Sequence, residues 1–285
     1  MLKQRVVTAL VLLLIFLPAL FYRSAVPFCG VTLVLVAAAA WEWARLNGYG
    51  PVASVLSGLF CVLMCALTWW LGWLDQSLAL LWMLAGAAWV LVGAWVLRSG
   101  VSAWSGHSPA VRLISGLVAL WLAWLAVAQA RVIGINFLLS ILVLVWVADI
   151  FAYFAGRAFG GRFSRSKLAP SISPGKSWEG VWGGMAGVLV LVFAWRWVDQ
   201  AWRVDVVSLY SHIGRQSGWL LLVAAVFMAA MSVVGDLFES LVKRSAGVKD
   251  SSGLLPGHGG VLDRVDGLLP TLPLAMMLYS VLGPR

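Results

Sequence analysis

An all-α polytopic membrane protein is the fold class this sequence predicts. Three observations predict it: an excess of apolar residues, a shortage of charge and a one-sided distribution of cations. Hydrophobic residues make up 62% of the 285 and charged residues 11%, against roughly 45–50% and about 25% in soluble domains. The mean hydropathy is +0.95. Windows of about 17–23 apolar residues read as membrane helices. They fall near 6–22, 25–41, 52–74, 77–97, 111–130, 132–153, 178–198, 217–238 and 267–282, so about nine transmembrane helices are expected.

The first window follows Lys3 and Arg5 and shows no small-residue cleavage pattern, so it reads as a retained anchor. Val26-Pro27-Phe28 ahead of Cys29 is a poor lipoprotein site. Cys29, Cys61 and Cys65 all lie in apolar runs, and no disulfide framework is expected from them. In the seventh window Gly180, Gly183, Gly184 and Gly187 give two overlapping GxxxG spacings, suited to close helix packing within the chain. The 18 tryptophans, several near window ends, suit interfacial belts and packing.

Cation placement orients the chain. With the N-terminus inside, the inner loops carry 14 of the 20 Lys and Arg residues, among them Arg157, Arg162, Arg165, Lys167, Lys176, Lys243, Arg244, Lys249 and Arg264. The outer set is Arg23, Arg131, Arg196, Arg203, Arg215 and Arg285. By the positive-inside rule the basic loops face the cytoplasm. The +9 net charge therefore answers to lipid headgroups and nucleotides, and no nucleic-acid partner is expected.

Chemistry concentrates in Ser240–Asp266, SLVKRSAGVKDSSGLLPGHGGVLDRVD. It combines Lys243, Arg244, Lys249 and Arg264 with Asp250, Asp263, Asp266, His258 and several glycines, Gly259 and Gly260 among them. Bare glycine backbone admits close approach, cations match phosphate charge and carboxylates hold Mg²⁺. Upstream, Ser232, Asp236, Glu239, Ser240 and Lys243 fall along one helical stripe that enters the membrane. Asp149 is another carboxylate at membrane depth. Such residues are costly in lipid and face a cavity or a partner. The second polar loop ends in Ser173-Pro174-Gly175-Lys176-Ser177-Trp178-Glu179-Gly180, which puts Lys176 and Ser177 at a helix start. Ser177 equally suits an N-cap, and His258 on its glycine turn suits phosphate binding, protonation of a leaving group or loop orientation. No P-loop or GxGxxG pattern is present. An ion path through Asp149, Asp236 and Glu239 is the rival reading, but no internal repeat of a transporter accompanies it.

Ser240–Asp266 resembles the signature of the phosphatidate cytidylyltransferase, or CDP-diacylglycerol synthase, family, in the pattern S-x-x-K-R…K-D…P-x-H-G-G-x-x-D-R-x-D. Gly235–Ser240 (GDLFES) and the Ser173–Gly180 loop match as well. The resemblance covers 149–285, a C-terminal catalytic region, while 1–148 matches only in hydrophobicity. It implies transfer of CMP from CTP to phosphatidic acid, with pyrophosphate released, at the cytoplasmic side of a multi-pass bacterial-type inner membrane. It also implies a homodimer, Mg²⁺ as cofactor and K⁺ as a candidate second ion. On this basis Asp236, Asp263, Asp266, Lys249 and His258 are the expected catalytic residues, with Asp236, Asp263 and Asp250 at the metal. Lys176, Ser177, Ser240, Lys243, Arg244, Gly259, Gly260 and Arg264 are the expected substrate contacts.

Overall fold

The computed structural model describes residues 2–164 and 166–283, and among these the chain is helical, with two isolated bridges in place of strands. The helices are α1 (Leu2–Phe21), α2 (Val26–Leu46), α3 (Pro51–Trp70), α4 (Ala79–Ser105), α5 (Pro109–Ile133) and α6 (Ile135–Phe159), then α7 (Trp178–Ala201), α8 (Leu209–Gly214), α9 (Gly218–Ser245), α10 (Leu262–Val265) and α11 (Leu268–Val281). Arg165 and Arg285, two of the cations used to orient the chain, lie outside the described residues.

Among the described residues, seven helices are long and apolar enough to cross a membrane: α1, α2, α3, α5, α6, α7 and α9. Helix α4 makes an eighth if its arms, Ala79–Trp95 and Arg98–Ser105, which meet at 97°, count as one span. The expected nine therefore comes down to seven or eight. The last window is a helix, α11, but it has only 14 residues. At 1.5 Å per residue that is about 21 Å, against about 30 Å of hydrocarbon. Leu269 to Met276 are all buried, so this segment is apolar because it is the core of the bundle.

Successive helices run in alternating directions, which defines two ends. At one end Thr8 of α1 donates to Pro256 O (2.9 Å) and Trp43 Nε1 of α2 donates to Arg112 O at the start of α5 (2.8 Å). This is the loop face, carrying both polar loops. At the other end Arg131 donates to Leu20 O and Tyr22 O at the close of α1 (3.0 and 2.6 Å). There Asp199 accepts from Asn136, Ser208 and Ser211, fixing α8.

The glycines of α7 pack inside the chain, against α6. A Cβ on Gly183 would stand 2.1 Å from Ala155 Cβ, and one on Gly184 2.8 Å from Ala148 O. The close-packing reading of the GxxxG spacing thus holds, with α6 as the partner. Near the loop face, Trp43 stacks on Phe238 (centroids 5.8 Å), and Trp89 and Trp104 meet Phe238 edge-on at 5.7 and 5.4 Å. This aromatic block locks α2 and α4 to α9 just beside Glu239.

Candidate functional site

Helix α9 has 28 residues, about 42 Å of rise, and its polar stripe descends from the loop face. Ser240 Oγ donates to Asp236 Oδ1 (3.2 Å), one turn along the helix. Lys243 Nζ lies 2.5 Å from Glu239 Oε2 and 2.6 Å from Asp263 Oδ1. Lys176, just before α7, reaches Asp236 Oδ2 at 2.5 Å. The two loops singled out in the sequence therefore converge on one helix.

Asp236, Asp149 and Asp266 form an acidic cluster, with Asp149 exposed and the other two half-buried. Burial raises the Asp266 carboxyl well above the ordinary carboxylate range, and the negative charges of Asp236 and Asp149 raise it further against Lys176. Gly235 makes this possible. A Cβ there would stand 2.3 Å from Asp266 O and 2.8 Å from Pro270, so only glycine lets α9 touch the α10–α11 junction. Asp236 sits nine residues before the end of α9, about 13 Å in. The acids are recessed below the loop face.

Asp263 has a different setting. Its Oδ2 accepts from Ser251 N (3.0 Å), Ser251 Oγ (3.0 Å) and Gly260 N (2.7 Å), and its Oδ1 takes Lys243. Burial works against the charge, but the Lys243 and Gly260 donors outweigh it and hold the carboxyl down at about 2. Both oxygens of Asp263 are committed, Oδ2 to the loop and Oδ1 to Lys243 of α9. Among the described residues no three Asp, Glu, His or Cys side chains form a group able to hold a metal ion. Asp236, Asp263 and Asp250 thus make no preformed cage in this conformation.

The other expected site residues divide between loop architecture and open surface. His258 N donates to Leu255 O (2.8 Å), and His258 O accepts from Arg264 Nε (3.0 Å). Its neighbours Gly257 and Gly259 take left-handed φ values of +77° and +82°, which only glycine adopts without strain. Arg244 ties the two loops together, Nε donating to Ile172 O (3.3 Å) and Nη1 to Val248 O (3.2 Å). Ser177 is an N-cap, its Oγ accepting from Gly180 N (3.2 Å). Lys249 and Asp250 stand exposed at the rim.

Sequence reasoning missed Glu42. This α2 carboxylate is fully buried, yet it accepts from Ser252 Oγ and Val261 N through Oε1 (2.5 and 2.9 Å). Through Oε2 it accepts from Ser251 Oγ and Leu262 N (3.2 and 2.8 Å). Gly260 is the complement of this clamp. A Cβ there would stand 2.0 Å from Ser251 Oγ and 2.4 Å from Glu42 Oε1, so the bare side of Gly260 is filled by protein side chains. The sequence does carry one signal for Glu42: a carboxylate between Trp41 and Trp43 near the end of an apolar helix calls for a partner.

A polytopic helical membrane protein with an acidic recess, rimmed by lysines and a glycine-rich loop, is built to handle anionic groups at a membrane surface. Comparison with known proteins narrows the class. The model of the Cytidylyltransferase family matches residues 3–282, and the chain belongs to that family. A phosphatidate cytidylyltransferase of Pseudomonas aeruginosa is 42% identical over 99% of this chain and 98% of its own length. The Haemophilus influenzae protein of the same name is 38% identical over 98% of this chain and 99% of its own. One from Thermotoga maritima is 42% identical over 50% of this chain and 49% of its own.

Proposed function

We propose that the chain transfers CMP from CTP to phosphatidic acid, giving CDP-diacylglycerol and pyrophosphate in phospholipid biosynthesis, with the recess beneath the signature loop as its active site. It is a nucleotidyltransferase of the membrane. The observation that carries the assignment to this site is the meeting of Lys176, Asp236 and Asp266 from separate segments in one half-buried recess. Family membership and nearly full-length relatives support the reaction.

The donor set suits Mg²⁺. This ion takes one or two carboxylates and fills its remaining positions with water and substrate phosphates, so a three-residue cage is not required. Asp236 and Asp266 are the ligands we favour, because two carboxyl groups that oppose each other's ionisation are an arrangement a divalent cation would relieve. Asp263 would first have to release four donors. When bound, the ion neutralises charge on the triphosphate oxygens. K⁺ as a second ion remains part of the proposal only through the family resemblance.

The residues present can do the rest. A phosphatidate oxygen attacks the α-phosphorus of CTP, the bond to the bridging oxygen breaks, and pyrophosphate leaves in line. Lys176 and the rim cations Arg244, Lys249 and Arg264 are placed to hold phosphate groups. Lys243 keeps α9 and the loop in register through Glu239 and Asp263. An apolar cavity of about 390 Å³ between α4, α9 and α11, lined by Met83, Val90, Phe227, Leu274 and Met277, supports an acyl-chain path beside the site. Phe227 precedes Asp236 by nine residues of α9, about 13 Å deeper. We further propose a homodimer in a bacterial inner membrane with the loop face cytoplasmic, where CTP is.

The test is CTP-dependent pyrophosphate release by purified protein in mixed micelles, with and without phosphatidic acid and Mg²⁺. Release is expected only with all three. Release that ignores phosphatidic acid would overturn the reading.

A further inference from the structure

The signature loop belongs to the C-terminal region in sequence, yet its firmest anchor is in α2. Glu42 is buried at 0% exposure, and burying a carboxyl group is costly unless its oxygens are hydrogen-bonded. Among the described residues its hydrogen-bond partners come from the signature loop: two hydroxyls and two amides, spread over Ser251 to Leu262. Ser251 Oγ lies within hydrogen-bond reach of both Glu42 Oε2 (3.2 Å) and Asp263 Oδ2 (3.0 Å), so its single proton is shared between the two carboxyl groups. Asp263 in turn holds Lys243, which holds Glu239. A continuous chain of charge-assisted contacts therefore runs from α2 through the loop to the polar stripe of α9.

We propose that Glu42 is a positioning residue for the cytidylyl transfer. It pins both arms of the glycine loop and thereby sets where Asp263, and the α10 turn that leads into Asp266, stand against Asp236. Glu42 itself touches no reacting group. The inference rests on the cytidylyltransferase reading and adds a residue from the region that the signature leaves out. The geometry favours positioning over plain packing. The Val261 and Leu262 amides are fixed donors that cannot rotate to suit another partner, and Gly260 leaves no room for one.

Glu42→Gln tests it. The amide keeps shape and one acceptor but turns an NH₂ donor toward donors. Full-length wild type and variant are purified in detergent and compared by kcat, KM for CTP, and hydrogen exchange of peptides covering 250–262. The expected result is a kcat loss of about 100-fold, the scale of an ångström-level misplacement. KM for CTP stays within about threefold, and exchange at Val261 and Leu262 speeds up while the helices are unchanged. Ser252→Ala, which removes one donor and leaves three, is expected to lose roughly three- to tenfold in kcat. It serves if Glu42→Gln does not fold. An unchanged kcat in whichever variant folds, or a loss that merely tracks the folded fraction, would overturn the inference. Failure of wild type itself to release pyrophosphate would strike the functional reading instead, so the two failures are distinguishable.

Discussion

Lys176 Nζ lies 2.5 Å from Asp236 Oδ2, joining the loop ahead of α7 to the buried stripe of α9, with the two side chains 23% and 33% exposed. A surface anchor would point to solvent. This lysine turns into the recess and offsets the acids there, so its loss should leave the acids without that offset and the triphosphate short of a partner. Lys176→Met is expected to lower kcat/KM for CTP roughly 10–100-fold, in keeping with one charge-assisted contact. A change below about twofold in steady-state pyrophosphate release would show that the pair is incidental.

Gly260 and Gly253 offer a matched comparison within one loop. A Cβ at Gly260 meets Ser251 Oγ at 2.0 Å and Glu42 Oε1 at 2.4 Å, whereas one at Gly253 meets nothing within 4 Å. Gly260→Ala should destabilise by about 1–3 kcal/mol through overpacking and take activity with it. Gly253→Ala should be close to neutral in both. Thermal unfolding in detergent beside the pyrophosphate assay reads the difference, and equal behaviour of the two variants would refute the clamp geometry.

Acid should unlock the loop through Asp263. Its folded carboxyl is held at about 2, below the ordinary 3.8, by Lys243 and the Gly260 amide working against burial. A depressed carboxylate contributes stability that is present above its unfolded value and lost as pH falls through the folded one. Wild type should therefore lose extra stability between about pH 4 and pH 2. Asp263→Asn should start less stable at neutral pH and show a flatter profile over that window. Identical slopes for the two proteins would dissociate Asp263 from the acid transition.

Much of this was legible because its physics is local. Hydropathy marks every long helix, and the i, i+3, i+4 spacing alone places Asp236, Glu239, Ser240 and Lys243 on one stripe. Helix α11 escaped because hydropathy cannot tell lipid from the core of a bundle; both demand apolar side chains. Asp263 was read as a free ligand because nothing in DRVD reveals that Ser251 and Gly260 fold back onto it. Glu42 was missed for the same reason at longer range, its partners lying more than two hundred residues away. Gly260 was read as room for substrate, when its emptiness is already taken.

The Glu42 clamp also has a direction in time. Glu42 is synthesised 219 residues ahead of the Val261 amide that satisfies it. At about 5–20 residues per second that interval is roughly 10–40 s, during which α2 carries a carboxylate without its final donors. A late-synthesised loop thus completes the burial of a side chain made long before it, and the assembly of this enzyme couples α2 to the site of its chemistry.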